Sequence, residues 1–188
     1  MGGDGARYYL GESLAFDPYR GYLWQKQMGE INREKYQNAI LYFVKYCNNQ
    51  YLGATKLNKL LYYLDFVAYR DRQKSVTGDM YVHKQYGPVP AEVDEVLTAM
   101  KAEGVLEVQK IDYKGGETFK YSSGEGPDLS VFDDYEKGLL EKVCQEFNLW
   151  PTEKIVNQTH LEAPWFYSKP FEVVDFKYSK DIEFFANA

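Results

Sequence analysis

Thr55-Lys56-Leu57-Asn58-Lys59-Leu60-Leu61-Tyr62-Tyr63-Leu64-Asp65-Phe66-Val67-Ala68-Tyr69-Arg70-Asp71-Arg72 is the stretch whose reading decides the fold. Leu57, Leu60, Leu61, Leu64, Val67 and Ala68 recur at i, i+3, i+4 and i+7, which is the apolar stripe of an amphipathic helix. Thr55, following Gly53-Ala54, stands where an N-cap belongs. Lys56, Lys59, Arg70 and Arg72 fall on the other faces.

Upstream, Ile31, Tyr36, Ile40, Phe43, Val44 and Cys47 keep a 3.6-residue period, predicting a helix over 31–49 that ends at Asn48-Asn49. Residues 1–30 are Gly-rich and carry Tyr, Leu and Phe without a period, so they read as an irregular aromatic arm; residues 31–188 read as one domain. Downstream, Ser75-Val76-Thr77-Gly78-Asp79 is a turn, and Met80 to Tyr86 is a short extended segment. Gly87-Pro88-Val89-Pro90 breaks it, with Pro90 suited to the first position of the next helix. Val93, Val96, Leu97 and Met100 face inward along that helix, and Gly104 stops it. Residues 105–111 and 117–122 alternate as two strands of a hairpin whose Gly115-Gly116 supplies positive φ.

Asp133 and Glu136 have capping-box spacing, opening a helix with Leu139, Leu140, Val143 and Phe147 on its apolar face. Pro151-Thr152 starts a further short helix to about Thr159. Pro164 and Pro170 bracket an irregular aromatic stretch, and Ser179 is placed as the cap of a last helical turn. The fold class is therefore α+β and mostly helical: a compact single domain with a short strand and a β-hairpin, winged-helix-like, packed on about five to six helices.

Composition bounds the function. The chain has 188 residues with 45% apolar and 27% charged, ordinary values for a folded domain. No window approaches eighteen consecutive apolar residues, so no membrane span is read. The first residues lack a basic segment followed by an apolar one, so the expected location is cytoplasmic. The 18 Tyr, 11 Phe and 3 Trp exceed what such a core needs, and tyrosine suits half-buried positions and interfaces.

Charge is divided unevenly. Residues 1–72 hold ten Lys/Arg against seven Asp/Glu, a net of +3; residues 73–188 hold twelve against twenty-one, a net of −9. Nucleic acid is therefore a poor partner. The winged-helix order over 55–122 does not rescue it, because the second helix opens with Glu92, Asp94 and Glu95, the wrong sign for phosphate. A basic or mixed-charge protein fits better.

Candidate chemistry is thin. Cys47 and Cys144 lie on apolar helix faces, as core residues do, and with His83 and His160 they give no triad, no metal-ligand spacing and no disulfide framework. Paired carboxylates such as Asp133-Asp134 are helix-start charges. No phosphate-cradling motif is present. No catalytic residue, metal or cofactor is read. His160 and Trp165, in Thr-His-Leu-Glu-Ala-Pro-Trp-Phe (159–166), have two readings: packing within the fold, or an aromatic anchor for a partner.

Three motifs in order carry a family resemblance: Lys56-Leu57-Asn58-Lys59-Leu60-Leu61-Tyr62-Tyr63-Leu64-Asp65-Phe66; Ser75-Val76-Thr77-Gly78-Asp79 with Gln85-Tyr86-Gly87-Pro88-Val89; and Thr159-His160-Leu161-Glu162-Ala163-Pro164-Trp165. Over about residues 35–185 the chain resembles the Panacea domain, also called SocA-like or GepA-like. The resemblance implies a non-enzymatic antitoxin of bacteria, prophages or phages that neutralises a cognate protein toxin by direct contact, with delivery of a partner to a host protease as a second mechanism. Rival readings are a phage or mobile-element adaptor binding a host protein, and a winged-helix transcription regulator. The motif positions assigned to partner binding are Lys59, Tyr62, Asp79, Tyr81, Gln85, Tyr86, His160 and Trp165, imagined inside an acidic rim. Lys56, Leu60, Asp65, Gly78, Gly87 and Pro88 are assigned to the scaffold.

Overall fold

Helix positions 56–68 are all buried, which a single apolar stripe would not produce; the helix that carries them is wrapped on every side. The computed structural model describes residues 30–47, 52–113 and 116–185. Its elements are α1 (Arg33–Tyr46), α2 (Ala54–Arg72), β1 (Tyr81–Lys84), β2 (Gly87–Pro90), α3 (Val93–Ala102), β3 (Glu107–Tyr113) and β4 (Gly116–Ser122). A 3-10 turn at Leu129–Val131 leads to α4 (Asp134–Phe147), α5 (Thr152–Leu161), the four-residue α6 (Ala163–Phe166) and a 3-10 helix at Phe176–Asp181. The architecture is mostly helical α+β with two antiparallel hairpins, β1–β2 and β3–β4.

The central α2 packs against α1, α4, α5, β2 and the C-terminal 3-10 helix. Its cap is Gly53, with Ala54 as the first helical residue, so Thr55 is not the N-cap. Lys56 and Lys59 do not take outer faces. Lys56 Nζ donates to Trp150 O at 2.7 Å and so satisfies a carbonyl just past the C-terminal end of α4, while Lys59 reaches the β1–β2 hairpin. Around α2 the core is aromatic. Phe66 stacks on Phe176 with centroids 4.0 Å apart, Tyr63 lies 4.7 Å from Phe147, and Phe147 lies 5.2 Å from Phe184. The tyrosine excess thus divides: Tyr36, Tyr62, Tyr63, Tyr81 and Tyr121 are core, while Tyr46, Tyr86 and Tyr167 are exposed.

Local chemistry sets the element ends. Asp133 and Glu136 form the reciprocal capping box at α4, each side chain accepting from the other's amide at 2.9 Å. Gly104, at φ +75°, ends α3 one residue beyond its cap. Two readings are corrected. Residues 87–90 do not break the chain but form β2, in register Tyr81↔Pro90 to Lys84↔Gly87, and α3 begins at Val93 behind Glu92. The last helical turn is capped by Asp175, whose carboxylate accepts from Lys177 N, and Ser179 lies inside it.

Cys47 and Cys144 also depart from expectation. Two apolar helix positions 97 residues apart in sequence come together with Cα atoms 5.1 Å apart and form a disulfide between the end of α1 and α4. The predicted aromatic arm, the Asn48-Asn49 helix end and Gly115 of the β3–β4 turn lie outside the described residues. No helix among the described residues is long and apolar enough to cross a membrane.

Candidate functional site

The three motifs meet at the β1–β2 hairpin, which α2 grips at both ends. Asp65, one end of the grip, is fully buried and accepts four hydrogen bonds: Val76 N and Thr77 N at 2.8 Å, Thr77 Oγ1 at 2.5 Å and Tyr81 OH at 2.8 Å. Burial pushes its carboxyl up to about 6 against the pull of those donors. Asp79 accepts from Tyr36 OH at 2.9 Å and Glu92 N at 3.0 Å, tying α1 and the entry to α3 to the same loop. Burial, together with the nearby Asp65 charge, raises Asp79 to about 7. Between them Gly78 sits at φ +77°, where a Cβ would lie 2.7 Å from Glu30 O, so only glycine fits.

Lys59 holds the other end. Its ammonium donates to Pro88 O at 2.7 Å, and burial lowers it to about 7. Gly87, at φ +95°, brings the hairpin against α2 and α5: a Cβ there would lie 2.7 Å from Thr159 Oγ1 and 2.8 Å from Lys59 Cε. Along β2, Pro88 and Pro90 have no N–H to leave unpaired. On the opposite edge, β1 is joined by residues 171–174: His83 N donates to Glu172 O at 2.9 Å, Phe171 N to His83 O at 2.9 Å, and Val174 N to Tyr81 O at 2.7 Å.

The third motif closes over this edge. Trp165 lies between two imidazoles, its ring 4.3 Å from His83 and 4.0 Å from His160, stacked on both. His83 Nδ1 meets Ser168 Oγ at 2.8 Å, and Ser168 Oγ donates to Trp165 O at 2.8 Å, capping α6. Ser168 thereby links β1 to the C-terminal end of α6. Burial lowers both histidines, and the Lys59 charge adds to the effect on His160.

The sequence matches the family described as the SocA-like antitoxin, Panacea domain, over residues 57–166, more than half of the chain. This chain belongs to the Panacea-domain family. No curated protein and no solved structure matches it. In this Panacea domain the matched segment runs from the start of α2 to the end of α6, and so contains both grips on the hairpin and the stacked tryptophan.

The motif residues separate by burial. Lys59, Tyr62, Asp79 and Tyr81, assigned to partner contact from sequence, have at most 1% of their surface exposed; they hold the hairpin from within and present nothing to a partner. Alternation along β1 places Tyr81 and His83 inward. Gln85 and Tyr86 form the exposed turn of the hairpin, and His160 and Trp165 are half-buried in the stack. Lys56, Leu60, Asp65, Gly87 and Pro88 are buried and Gly78 half-buried, as the inner face of the Panacea scaffold. Sequence reasoning missed Phe166, Tyr167 and Phe171, exposed in the segment that leads into this edge, and Leu161, exposed at the end of α5. The signal was present in the apolar rings crowded between Pro164 and the residues just after Pro170, too short and irregular to be a core stripe.

Proposed function

We propose that this Panacea domain is the antitoxin of a toxin–antitoxin pair, neutralising a cognate protein toxin by direct, non-catalytic binding. The family match over residues 57–166 carries the reading. Physical chemistry agrees with it. The buried network commits its polar groups to holding one hairpin still, which lowers the ordering entropy that binding would otherwise cost. Aromatic side chains beside that hairpin are of the type that dominates interface energy.

The test is co-expression of the chain with the protein encoded in the adjacent reading frame. Growth arrest by the neighbour alone, rescue by this chain and co-purification of the two as a complex are the expected results. Arrest that persists with this chain present, or rescue without a complex, overturns the reading.

A further inference from the structure

Eight large apolar side chains are exposed among the described residues, and five of them, Tyr86, Leu161, Phe166, Tyr167 and Phe171, come from the hairpin turn and residues 161–171. These segments are fastened to each other. His83 O accepts from Phe171 N and its ring meets Ser168, the Phe166 and Tyr167 rings touch at 5.2 Å, and Lys84 Nζ sits 5.5 Å from the Phe171 centroid. Exposed apolar groups gathered on a rigid support mark an interaction surface.

Phe171 is the most telling of the five. It has φ +67° and 64% of its surface exposed. A bulky residue in left-handed backbone is strained, and a ring left mostly exposed buries little surface to offset that strain. Within the fold the ring meets the Lys84 ammonium, an exposed contact of small worth.

Charge names the partner. The whole chain is at −6, yet residues 84–91 and 163–171 contain only two charged groups, Lys84 and Lys169. Asp94 acts on Lys84 from α3, and Glu172 follows at the margin. The aromatic surface thus carries two lysines, with Asp94 and Glu172 at its border, on a molecule whose net charge is acidic.

We propose that Lys84, Tyr86, Phe166, Tyr167, Lys169 and Phe171 form the docking face for the toxin, and that the toxin segment seated there is apolar and flanked by carboxylates. This rests on the antitoxin reading and gives the partner chemistry of its binding surface. Rings interleaved with lysines also suit single-stranded nucleic acid. Two cations on a chain at −6 are too few to hold a phosphate backbone, so the protein partner is favoured.

The experiment uses the full chain and the adjacent-frame protein, with four variants: F171G, F166S, K84E/K169E, and E141K/E146K on α4 as a charge-reversal control outside the proposed face. F171G relieves the strained φ, so its melting temperature should not fall, while its binding weakens at least about tenfold. F166S should likewise weaken binding with the fold retained. K84E/K169E should weaken binding similarly, and raising salt should weaken wild type more than this variant. The control should rescue growth as wild type does. Folded F171G and K84E/K169E that bind and rescue like wild type overturn the docking face while leaving the antitoxin reading intact. Wild type that neither rescues nor binds overturns that reading, and the docking face with it. Fluorescence anisotropy with a labelled dT15 strand should show no binding at about 0.15 M salt; binding that F171G and K84E/K169E abolish would assign the face to nucleic acid and overturn the protein partner.

Discussion

A lysine with no exposed surface is costly to keep charged, and Lys59 and Asp79 together make folding pH-dependent in opposite directions. The folded carboxyl of Asp79 is raised to about 7, so between about pH 4 and 7 the folded state holds a proton the unfolded chain has released. Its contribution is complete in acid and is lost as pH rises through that window. Asp65, raised to about 6, acts in the same direction over the lower part of it. Lys59 is lowered to about 7, so between about pH 7 and 10 the unfolded chain holds the extra proton and stability rises with pH. Together these groups place a stability minimum near neutrality, each tenfold difference in proton affinity between folded and unfolded chain being worth about 1.4 kcal/mol. Urea unfolding at pH 5, 7 and 9 checks this: Asp79→Asn should make the acid limb shallower, and Lys59→Met should flatten the alkaline limb. Equal slopes in wild type and both variants would show that neither group titrates as its burial requires.

At the scale of elements, the hairpin depends on how closely Gly87 approaches its neighbours. Gly87→Ala should cost roughly 2–4 kcal/mol, combining a disfavoured positive φ with contacts under 3 Å to Thr159 and Lys59. Gly104→Ala is the matched comparison: its φ is +75° but nothing lies within 4 Å, so only the backbone cost of about 1 kcal/mol applies. Thermal melts of the two variants separate close packing from conformation. Leu60→Ala, in the middle of α2, should cost about 2–5 kcal/mol as a core truncation. What was legible in the sequence follows the same division. The period of α2, the capping box at Asp133 and Glu136, the stop at Gly104 and the β3–β4 hairpin are local signals, and local signals survive folding. Strand β2 was not legible, because its two prolines argue against a strand unless the pairing edge is known. Nor was the inward position of Lys56 and Lys59, since nothing in the residues around them says that a second layer covers that side of the helix. Tyr81 and Tyr86 look equivalent in sequence; the hairpin register buries one and exposes the other. The exposed rings at 166–171 belong to no periodic pattern, so only the folded edge of β1 reveals that Phe171 lies against Lys84.

Across the whole molecule, the bond between Cys47 and Cys144 joins the end of α1 to α4 and encloses α2, both hairpins and the gripped loop within one covalent ring. Closing a loop of 97 residues removes chain entropy from the unfolded state, and loss of such a bond costs about 2–5 kcal/mol. Disulfides persist in oxidising surroundings and open in reducing ones, so the stability of this protein should depend on where it is measured. Both sulfurs are almost wholly buried, with 2% and 6% of the residues exposed, so reduction should wait on partial opening of the α1–α4 contact. Purified without reductant and then unfolded, the chain should present no free thiol to an alkylating reagent. Adding dithiothreitol should lower the urea midpoint of wild type and leave that of Cys47→Ser/Cys144→Ser unchanged. Two free thiols in the unreduced protein, or a midpoint indifferent to reductant, would show that the cysteines only pack against each other. In that event the clasp between α1 and α4 would fall to Lys35, whose ammonium meets both Glu136 carboxylate oxygens at 2.6 Å, and Lys35→Met would become the substitution that loosens α1.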